Sequence, residues 1–391
     1  MGIDTLGVIG AGVMGSDIAF VAALAGKRVI VCDVAEDPLA RGLERVRDLA
    51  GRAQARGQID DAGHEALLAR ITTTTRTADL ADCDLAIEAV SERMDLKREI
   101  FAQLDATLKP GALIASNTSG LSITELAAVT TRPEAVLGVH FFNPAVVMRL
   151  VEVIQGRETS DATLGAAESF VRELGKSPVR VRECPGFLVN RVLVRAMVEA
   201  YRLASELGVA PAHADAAVVD AGPAPMGPFG LGDLIGLDTM DHIQRDLEAA
   251  YGERFSDAGA IAGQVAQGRL GRKAGGGFLT DEAAPDPRAD AAQAVAQRYY
   301  LGALNEALRC ADEHIAARAD IDLAMRLGAG WERGPLAWAD GQGAAAILST
   351  MQELTASAGN RFHPTSLLRE RAADGRSLIA DADTDPGTTP R

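Results

Sequence analysis

The stretch Val8-Ile9-Gly10-Ala11-Gly12-Val13-Met14-Gly15 constrains this chain more than any other. A short apolar run, Thr5–Ile9, leads straight into G-x-G-x-x-G, and an amphipathic helical pattern follows. In such a turn the first glycine permits the tight reversal and the second lets backbone approach a pyrophosphate. The third allows close helix–strand packing, and the helix N-terminus favours the phosphate charge. Asp33 ends the second apolar run, 18 residues after Gly15, where a carboxylate binds ribose hydroxyls. An acid there disfavours a 2′-phosphate, so the expected cofactor is NAD. The competing reading is a glycine-rich turn with no ligand.

The chain around this turn alternates β-like and helical patterns over residues 1–183, as a doubly wound sheet does. Strands are expected at Thr5–Ile9, Arg28–Cys32, 85–89, Leu113–Ser116, 135–142 and 150–154, with a long helical insertion over 38–70. From Pro185 a helix is expected, because Leu188, Val192, Leu193, Ala196, Met197, Ala200, Leu203 and Leu207 recur at helical spacing and stop before Gly208. No further strand pattern follows. The helical half repeats itself at a constant offset of 107: Glu199-Ala200 and Glu306-Ala307, Asp215 and Asp322, Gly227-Pro228 and Gly334-Pro335, Asp233 and Asp340. The fold class expected is therefore α/β, a Rossmann-like, doubly wound, mostly parallel sheet with a helical hairpin insertion, followed by two tandem all-α domains. The expected boundaries are 1–183, 184–282, 283–372 and a disordered tail at 373–391, with a Pro/Asp/Ala linker at 280–290 between the copies.

One histidine and one carboxylate fall on two neighbouring apolar runs. His140 lies near the end of the first, Asn143-Pro144 breaks it, and Glu152 sits among Leu150, Val151, Val153 and Ile154. A buried carboxylate needs a partner, and pairing with an imidazole N–H fixes the tautomer and strengthens the ring as a general base. A core histidine satisfied by a backbone carbonyl fits the same residues. Three polar clusters also fall at the ends of expected elements. Glu92 and Lys97, after the run at 85–89, either reach a cofactor or mark a solvated helix start. Residues Ala115-Ser116-Asn117-Thr118-Ser119 either cap the next helix or bind substrate. Asn190 lies one turn inside the expected helix, and the position 107 later is Gln297. His140 and its strands have no second copy, so the duplicate is expected to be structural.

Composition narrows the partners. With a net charge of −15 over 391 residues, nucleic acid is not an expected partner. No apolar run is long enough to cross a bilayer, and no cleavable leader pattern opens the chain. Cys32, Cys83, Cys184 and Cys310 show neither Cys-x-x-Cys pairing nor metal-ligand spacing, so reduced thiols, no metal and a cytoplasmic location are expected.

Taken together, GAGVMG at 10–15, EAVSERMDLK at 88–97, SNTSGLSI at 116–123, HFFNPAVVMRLVEVI at 140–154, CPGFLVNR at 184–191 and AGPAPMGPFGLGDLIGLDT at 221–239 resemble the L-3-hydroxyacyl-CoA dehydrogenase family. The chain resembles its longer bacterial members with a duplicated helical domain and no hydratase part. The resemblance implies NAD-dependent oxidation of an (S)-3-hydroxyacyl-CoA, with His140 as catalytic base oriented by Glu152. It implies that Ser119 and Asn190 bind the substrate's 3-oxygen and thioester region. Gly10, Gly12, Gly15, Asp33, Glu92, Lys97, Asn117 and Asn143 then match positions that hold or neighbour NAD, and Arg56 is the counterpart of a basic residue that helps hold coenzyme A. The acyl group stays open among butyryl, long-chain and adipyl. The loop Gly275-Gly-Gly-Phe278-Leu279-Thr280 departs from the family's usual aromatic pair. In single-copy members the helical domains pair between subunits. A second copy on one chain implies a monomer with an internal pseudo-dimer, with a homodimer as the other possibility. A 3-dehydrogenase of a free hydroxy or sugar acid, and a non-catalytic NAD-binding protein, are the alternative functions.

Overall fold

Among the described residues, eight strands build one sheet in the first half of the chain, and the second half is helical apart from one isolated bridge, Gly271–Gly276. The computed structural model describes residues 2–280 and 289–379. Residues 281–288 of the expected linker and 380–391 of the expected tail lie outside the described residues. The chain divides into two compact units, Met1–Cys184 and Pro185–Arg391.

The first unit runs β1 (Thr5–Ile9), α1 (Val13–Leu24), β2 (Arg28–Cys32), α2 (Glu36–Ala55), α3 (Asp61–Ala69), β3 (Ile71–Thr74), β4 (Leu85–Glu88), α4 (Met94–Thr107), β5 (Leu113–Ser116), α5 (Ile123–Ala127), β6 (Val136–Phe141), β7 (Leu150–Gln155), α6 (Asp161–Glu173) and β8 (Ser177–Arg182). The strand order is β3-β2-β1-β4-β5-β6-β7-β8. All neighbours pair parallel except β6 and β7. Central strands bury both faces, which is why β1, β4, β6 and β7 read as apolar runs whose only polar residues are Thr5, Glu88, His140, Glu152 and Gln155. The order reverses between β1 and β4, and at such a switch point the loops leaving the strands' carboxyl ends part to leave a crevice.

The sequence reading missed both edge strands. β3 is Ile-Thr-Thr-Thr with only Ile71 fully buried, and β8 contains Pro178. Edge strands carry weak apolar patterns and tolerate proline, so neither stood out from loop. The helical insertion is the hairpin α2–α3, with Asp60 capping α3 by accepting from the Gly63 N–H at 2.7 Å. Helix α1 is not amphipathic as expected. Gly15 through Ala23 are all buried, between the sheet on one side and α2 on the other.

The second unit contains α7 (Val189–Leu207), α8 (Pro211–Ala221), α9 (Pro228–Ile235), α10 (Leu237–Tyr251), α11 (Ala260–Ala266), α12 (Ala289–Asp312), α13 (Arg318–Gly328), α14 (Pro335–Gln342), α15 (Ala344–Ala358) and α16 (Ser366–Asp374). Helix α7 begins at Val189, later than the expected Pro185, because Gly186 and Phe187 take positive φ (74° and 49°) and no helix passes through them. The 107-residue offset survives in three dimensions. Helices α8, α9 and α10 correspond to α13, α14 and α15 from first residue to last.

The repeated residues explain why. Asp215 accepts the N–H groups of Phe229 and Gly230 at 2.9 and 2.7 Å at the start of α9, and Asp322 does the same for Leu336 and Ala337 at 2.9 and 2.8 Å at the start of α14. A Cβ on Gly227 or Gly334 would fall 2.3 or 2.2 Å from the respective aspartate, so only glycine fits there. The two copies form one unit rather than separate bodies, with α7 packed along α12. The expected loose tail does not begin at 373. Leu378 is fully buried, and Asp340 accepts from the Ser377 hydroxyl and the Leu378 N–H at 2.6 and 2.8 Å. A polar, turn-rich composition hid that single apolar anchor. Among the described residues no helix is long and apolar enough to cross a membrane.

Candidate active site

Gly10 follows β1 with φ of +101°, and a Cβ there would sit 2.8 Å from the Ala89 carbonyl oxygen. A Cβ on Gly15 would lie 1.9 Å from the Gly10 oxygen, whereas one on Gly12 would meet nothing within 4 Å. Gly10 and Gly15 therefore serve the fold, while Gly12 leaves its space open. The Asp33 carboxylate accepts from the Ala11 and Val34 N–H groups, both at 2.7 Å, which fixes its direction. Gly10, Ala11, Gly12 and Asp33 line a cavity of about 590 Å³ together with Val34, Ala89, Val90 and Ser91. A cavity at the carboxyl ends of parallel strands β1, β2 and β4, with an open glycine and an oriented carboxylate, fits a dinucleotide with free ribose hydroxyls.

His140 and Glu152 face each other in register across the antiparallel β6–β7 pair. His140 Nδ1 lies 2.8 Å from Glu152 Oε2, with both side chains nearly inaccessible to solvent. Phe142 packs on the imidazole at a centroid distance of 4.5 Å. Because an ionised carboxylate only accepts, this contact puts the ring proton on Nδ1 and leaves Nε2 with its lone pair.

Glu88, to which sequence alone assigns no role, ends β4 and is completely buried. Its carboxylate accepts from Lys97 Nζ at 2.7 Å, the Val90 N–H at 2.6 Å and the Ser116 hydroxyl at 2.6 Å. Lys97, 1 % exposed, also lies 3.2 Å from Glu92, which accepts from the Ser119 N–H at 2.9 Å and the Thr118 hydroxyl at 2.5 Å. Glu92 and Lys97 do not line the cavity beside Gly12. Asn117 is likewise engaged within the protein, accepting the Phe141 N–H at 2.9 Å, while Asn143 is exposed just beyond β6. The signal that could have found Glu88 is close to the one that found Glu152, a carboxylate attached to a buried apolar run, here at its last position rather than inside it.

A second groove, of about 980 Å³, runs between α1, α2 and the β6–β7 connection. Arg41, Arg45, Arg52, Arg56 and Lys176 line it, beside the apolar Val146 and Val147. Lys176 donates to the carbonyls of Ala145 and Met148 at 2.6 and 2.8 Å, which holds that connection in place. Burial pushes the Lys176 ammonium below the ordinary lysine range. Glu44 and Asp48 line the groove as well and Arg45 is paired with Asp17 at 2.7 Å, so the groove keeps a small local excess of positive charge in a chain of net charge −15.

Residues 5–184 match the NAD-binding domain of 3-hydroxyacyl-CoA dehydrogenase, and residues 186–281 and 295–378 each match that enzyme's C-terminal domain. The chain belongs to the 3-hydroxyacyl-CoA dehydrogenase family. It is 43% identical over 278 residues to a 3-hydroxybutyryl-CoA dehydrogenase of Bradyrhizobium diazoefficiens, covering 71% of this chain and 94% of that one. It is 36% identical to the fatty acid oxidation complex subunit alpha of Shewanella amazonensis over 95% of its own length, and spans only 55% of that subunit. Among solved structures it resembles 3-hydroxybutyryl-CoA dehydrogenase from Escherichia coli K12, with a TM-score of 0.89 and 32% identity, covering 95% of this chain and 99% of that one. The cofactor of this dehydrogenase family domain is NAD, in keeping with the Asp33 geometry.

The family's helical domain occurs here twice, and Asn190, in the first turn of α7, belongs to the first copy. The copies exchange charges across their contact. Glu306 is held by Arg191 at 2.7 Å and Arg254 at 3.0 Å. Glu199 receives Arg298 at 3.1 Å, with Arg361 and Arg195 at 2.8 and 2.9 Å, ion-pair distances without hydrogen-bond alignment. Arg298 and Arg361 stand 107 residues after Arg191 and Arg254, so each glutamate is held by the same two arginines of the other copy. Burial pushes the Glu306 carboxyl up, but the Arg191 and Arg254 charges bring it below its ordinary value. One position breaks the symmetry. Fully buried Arg195 corresponds to Gly302, where an added Cβ would lie 3.3 Å from the Arg195 carbonyl oxygen and 3.5 Å from its guanidinium.

Proposed function

We propose that this chain oxidises (S)-3-hydroxyacyl-CoA thioesters to 3-oxoacyl-CoA with NAD, using His140 as general base. The observation that carries the reading is the buried His140–Glu152 contact of 2.8 Å, which leaves Nε2 as the one basic nitrogen of the ring. Nε2 takes the proton of the substrate's 3-hydroxyl, and Glu152 stabilises the imidazolium that forms. When bound, NAD accepts the hydride from C3. Ser119 and Asn190 are the donors proposed, from their motifs, for the 3-oxygen and the thioester region. Glu92 fixes the Ser119 backbone through its N–H, so that residue is held before substrate arrives.

Arg52, Arg56 and the groove they line supply cationic groups for the phosphates of coenzyme A, with Val146 and Val147 as apolar wall for its pantetheine arm. The oriented Asp33 carboxylate would repel the 2′-phosphate of NADP. Among the described residues Cys32, Cys83, Cys184 and Cys310 form no disulfide, which suits a reducing compartment such as the cytoplasm. The reciprocal Glu–Arg exchange between the copies supports a monomer in which each copy satisfies the other, which sedimentation velocity at micromolar concentration would report as a single species of chain mass.

The test is NADH formation with 3-hydroxybutyryl-CoA, a medium-chain 3-hydroxyacyl-CoA, an ω-carboxylated one and the corresponding free acids. Turnover confined to the thioesters is expected, with NAD preferred to NADP. Equal turnover of free 3-hydroxy acids would remove the coenzyme A reading, and no turnover of any would remove the catalytic one.

A further inference from the structure

We propose that Glu88 is a positioning residue that sets the cofactor wall and the Ser119 turn from one buried point. Burying a carboxylate and an ammonium together costs their hydration before their attraction is counted, and an apolar pair would hold β4 to α4 at least as well. What the ions add is direction. Glu88 Oε1 receives the Val90 N–H and Lys97 Nζ, and Val90 is part of the wall of the cavity beside Gly12. Glu88 Oε2 receives the Ser116 hydroxyl, whose oxygen in turn accepts the Thr118 N–H at 3.1 Å. A second route runs from Lys97 through Glu92 to the Thr118 hydroxyl and the Ser119 N–H. Every oxygen of the carboxylate is used, and two of its three bonds are one step from a site element.

Replacing Glu88 by glutamine is nearly isosteric but cannot keep this set. The amide oxygen still accepts from Val90 and Lys97, whereas its NH2 meets a Ser116 hydroxyl that now donates toward it. Lys97 loses one of its two carboxylates and is left with Glu92. A neutral amide oxygen holds the Val90 N–H and Lys97 less firmly than a carboxylate does, so the cofactor wall loosens while the Ser119 turn loses its route through Ser116. Replacing Ser116 by alanine cuts only the second of these and leaves the ion pair whole.

The inference rests on the proposed activity for its kinetic arm alone, and NADH affinity measured by fluorescence titration stands apart from it. E88Q is expected to weaken NADH binding about tenfold and to lower kcat about a hundredfold, the scale of a small misplacement of a reacting geometry. S116A is expected to leave NADH affinity within about twofold while lowering kcat roughly tenfold, and the double variant should lose no more kcat than E88Q does. A purely structural role predicts lower thermal stability with NADH affinity and kcat per folded molecule unchanged. That pattern in E88Q, or an S116A enzyme with full kcat, overturns the inference. If E88Q does not fold, S116A decides alone. If the wild type turns over no thioester, the functional reading fails while the E88Q NADH titration still decides whether Glu88 sets the cofactor wall.

Discussion

Glu152→Gln tests whether the buried carboxylate does chemistry or only fills a polar gap. The two side chains are 7% and 1% exposed, so water screens the pair weakly, and Nδ1 lies 2.8 Å from Oε2. With the delocalised charges about 4 Å apart and an effective dielectric constant near 20, a carboxylate stabilises the imidazolium by about 4 kcal/mol. That corresponds to about three decades in rate if the imidazolium is formed in the hydride-transfer step. An amide presenting its oxygen keeps the tautomer and loses the charge, while one presenting its NH2 forces the ring proton onto Nε2 and removes the base. Either way kcat should fall about a thousandfold. In the resting state the imidazole is uncharged, so losing the Glu152 charge costs little there; the melting temperature should move by only a few degrees and NADH affinity should hold. Steady-state kinetics with 3-hydroxybutyryl-CoA, NADH titration and thermal melting measure the three quantities. A variant that keeps more than a tenth of kcat refutes the role given to Glu152. One that loses NADH binding in parallel shows that the loss comes from the fold.

Two further predictions concern the glycine turn and the repeated aspartates. G12A should fold normally, since its Cβ meets nothing within 4 Å, but should weaken NADH binding at least about tenfold by filling the pyrophosphate's approach. G15A, with its Cβ 1.9 Å from the Gly10 oxygen, should instead cost about 3 kcal/mol or more in urea unfolding, and equal stability of the two variants would contradict their assignment. Burial raises the Asp322 carboxyl from 3.8 to about 6, against the two N–H groups it accepts. The folded state thus binds this proton more tightly than the unfolded chain, so its stabilisation is complete below pH about 4 and is lost as pH rises through about 6. The difference in unfolding free energy between wild type and D322N, followed through Trp331 and Trp338, should fall by about 2 kcal/mol from pH 4 to 7. A flat or rising difference would refute the burial account.

The parts of this protein legible in its sequence are those where one residue type has one physical use. The turn at Gly10–Gly15, the buried carboxylate at Glu152 and the Asp/Gly-Pro pairs of the repeat were of this kind, and the repeat even set helix ends to the residue. The edge strands β3 and β8 were illegible because a strand with one buried face and a proline or threonine run resembles a loop. Lys97 read as a cofactor ligand or a solvated charge, since sequence shows neither the Glu88 that takes its proton-bearing nitrogen nor the burial that forces the pair. Which arginine meets which glutamate across the helical copies was beyond reach for the same reason, because it depends on how α7 crosses α12.

The pairing of Arg195 with Gly302 bears on how such a chain can change over time. Two identical first copies would bring two arginine side chains to one place, and two identical second copies would leave a void there. Each copy has therefore become the lock for the other's key, and neither can be deleted and replaced by a duplicate of its mate. Once that exchange of bulk for space was made, the doubling became a one-way step: losses in either half must be answered in the other half of the same polypeptide.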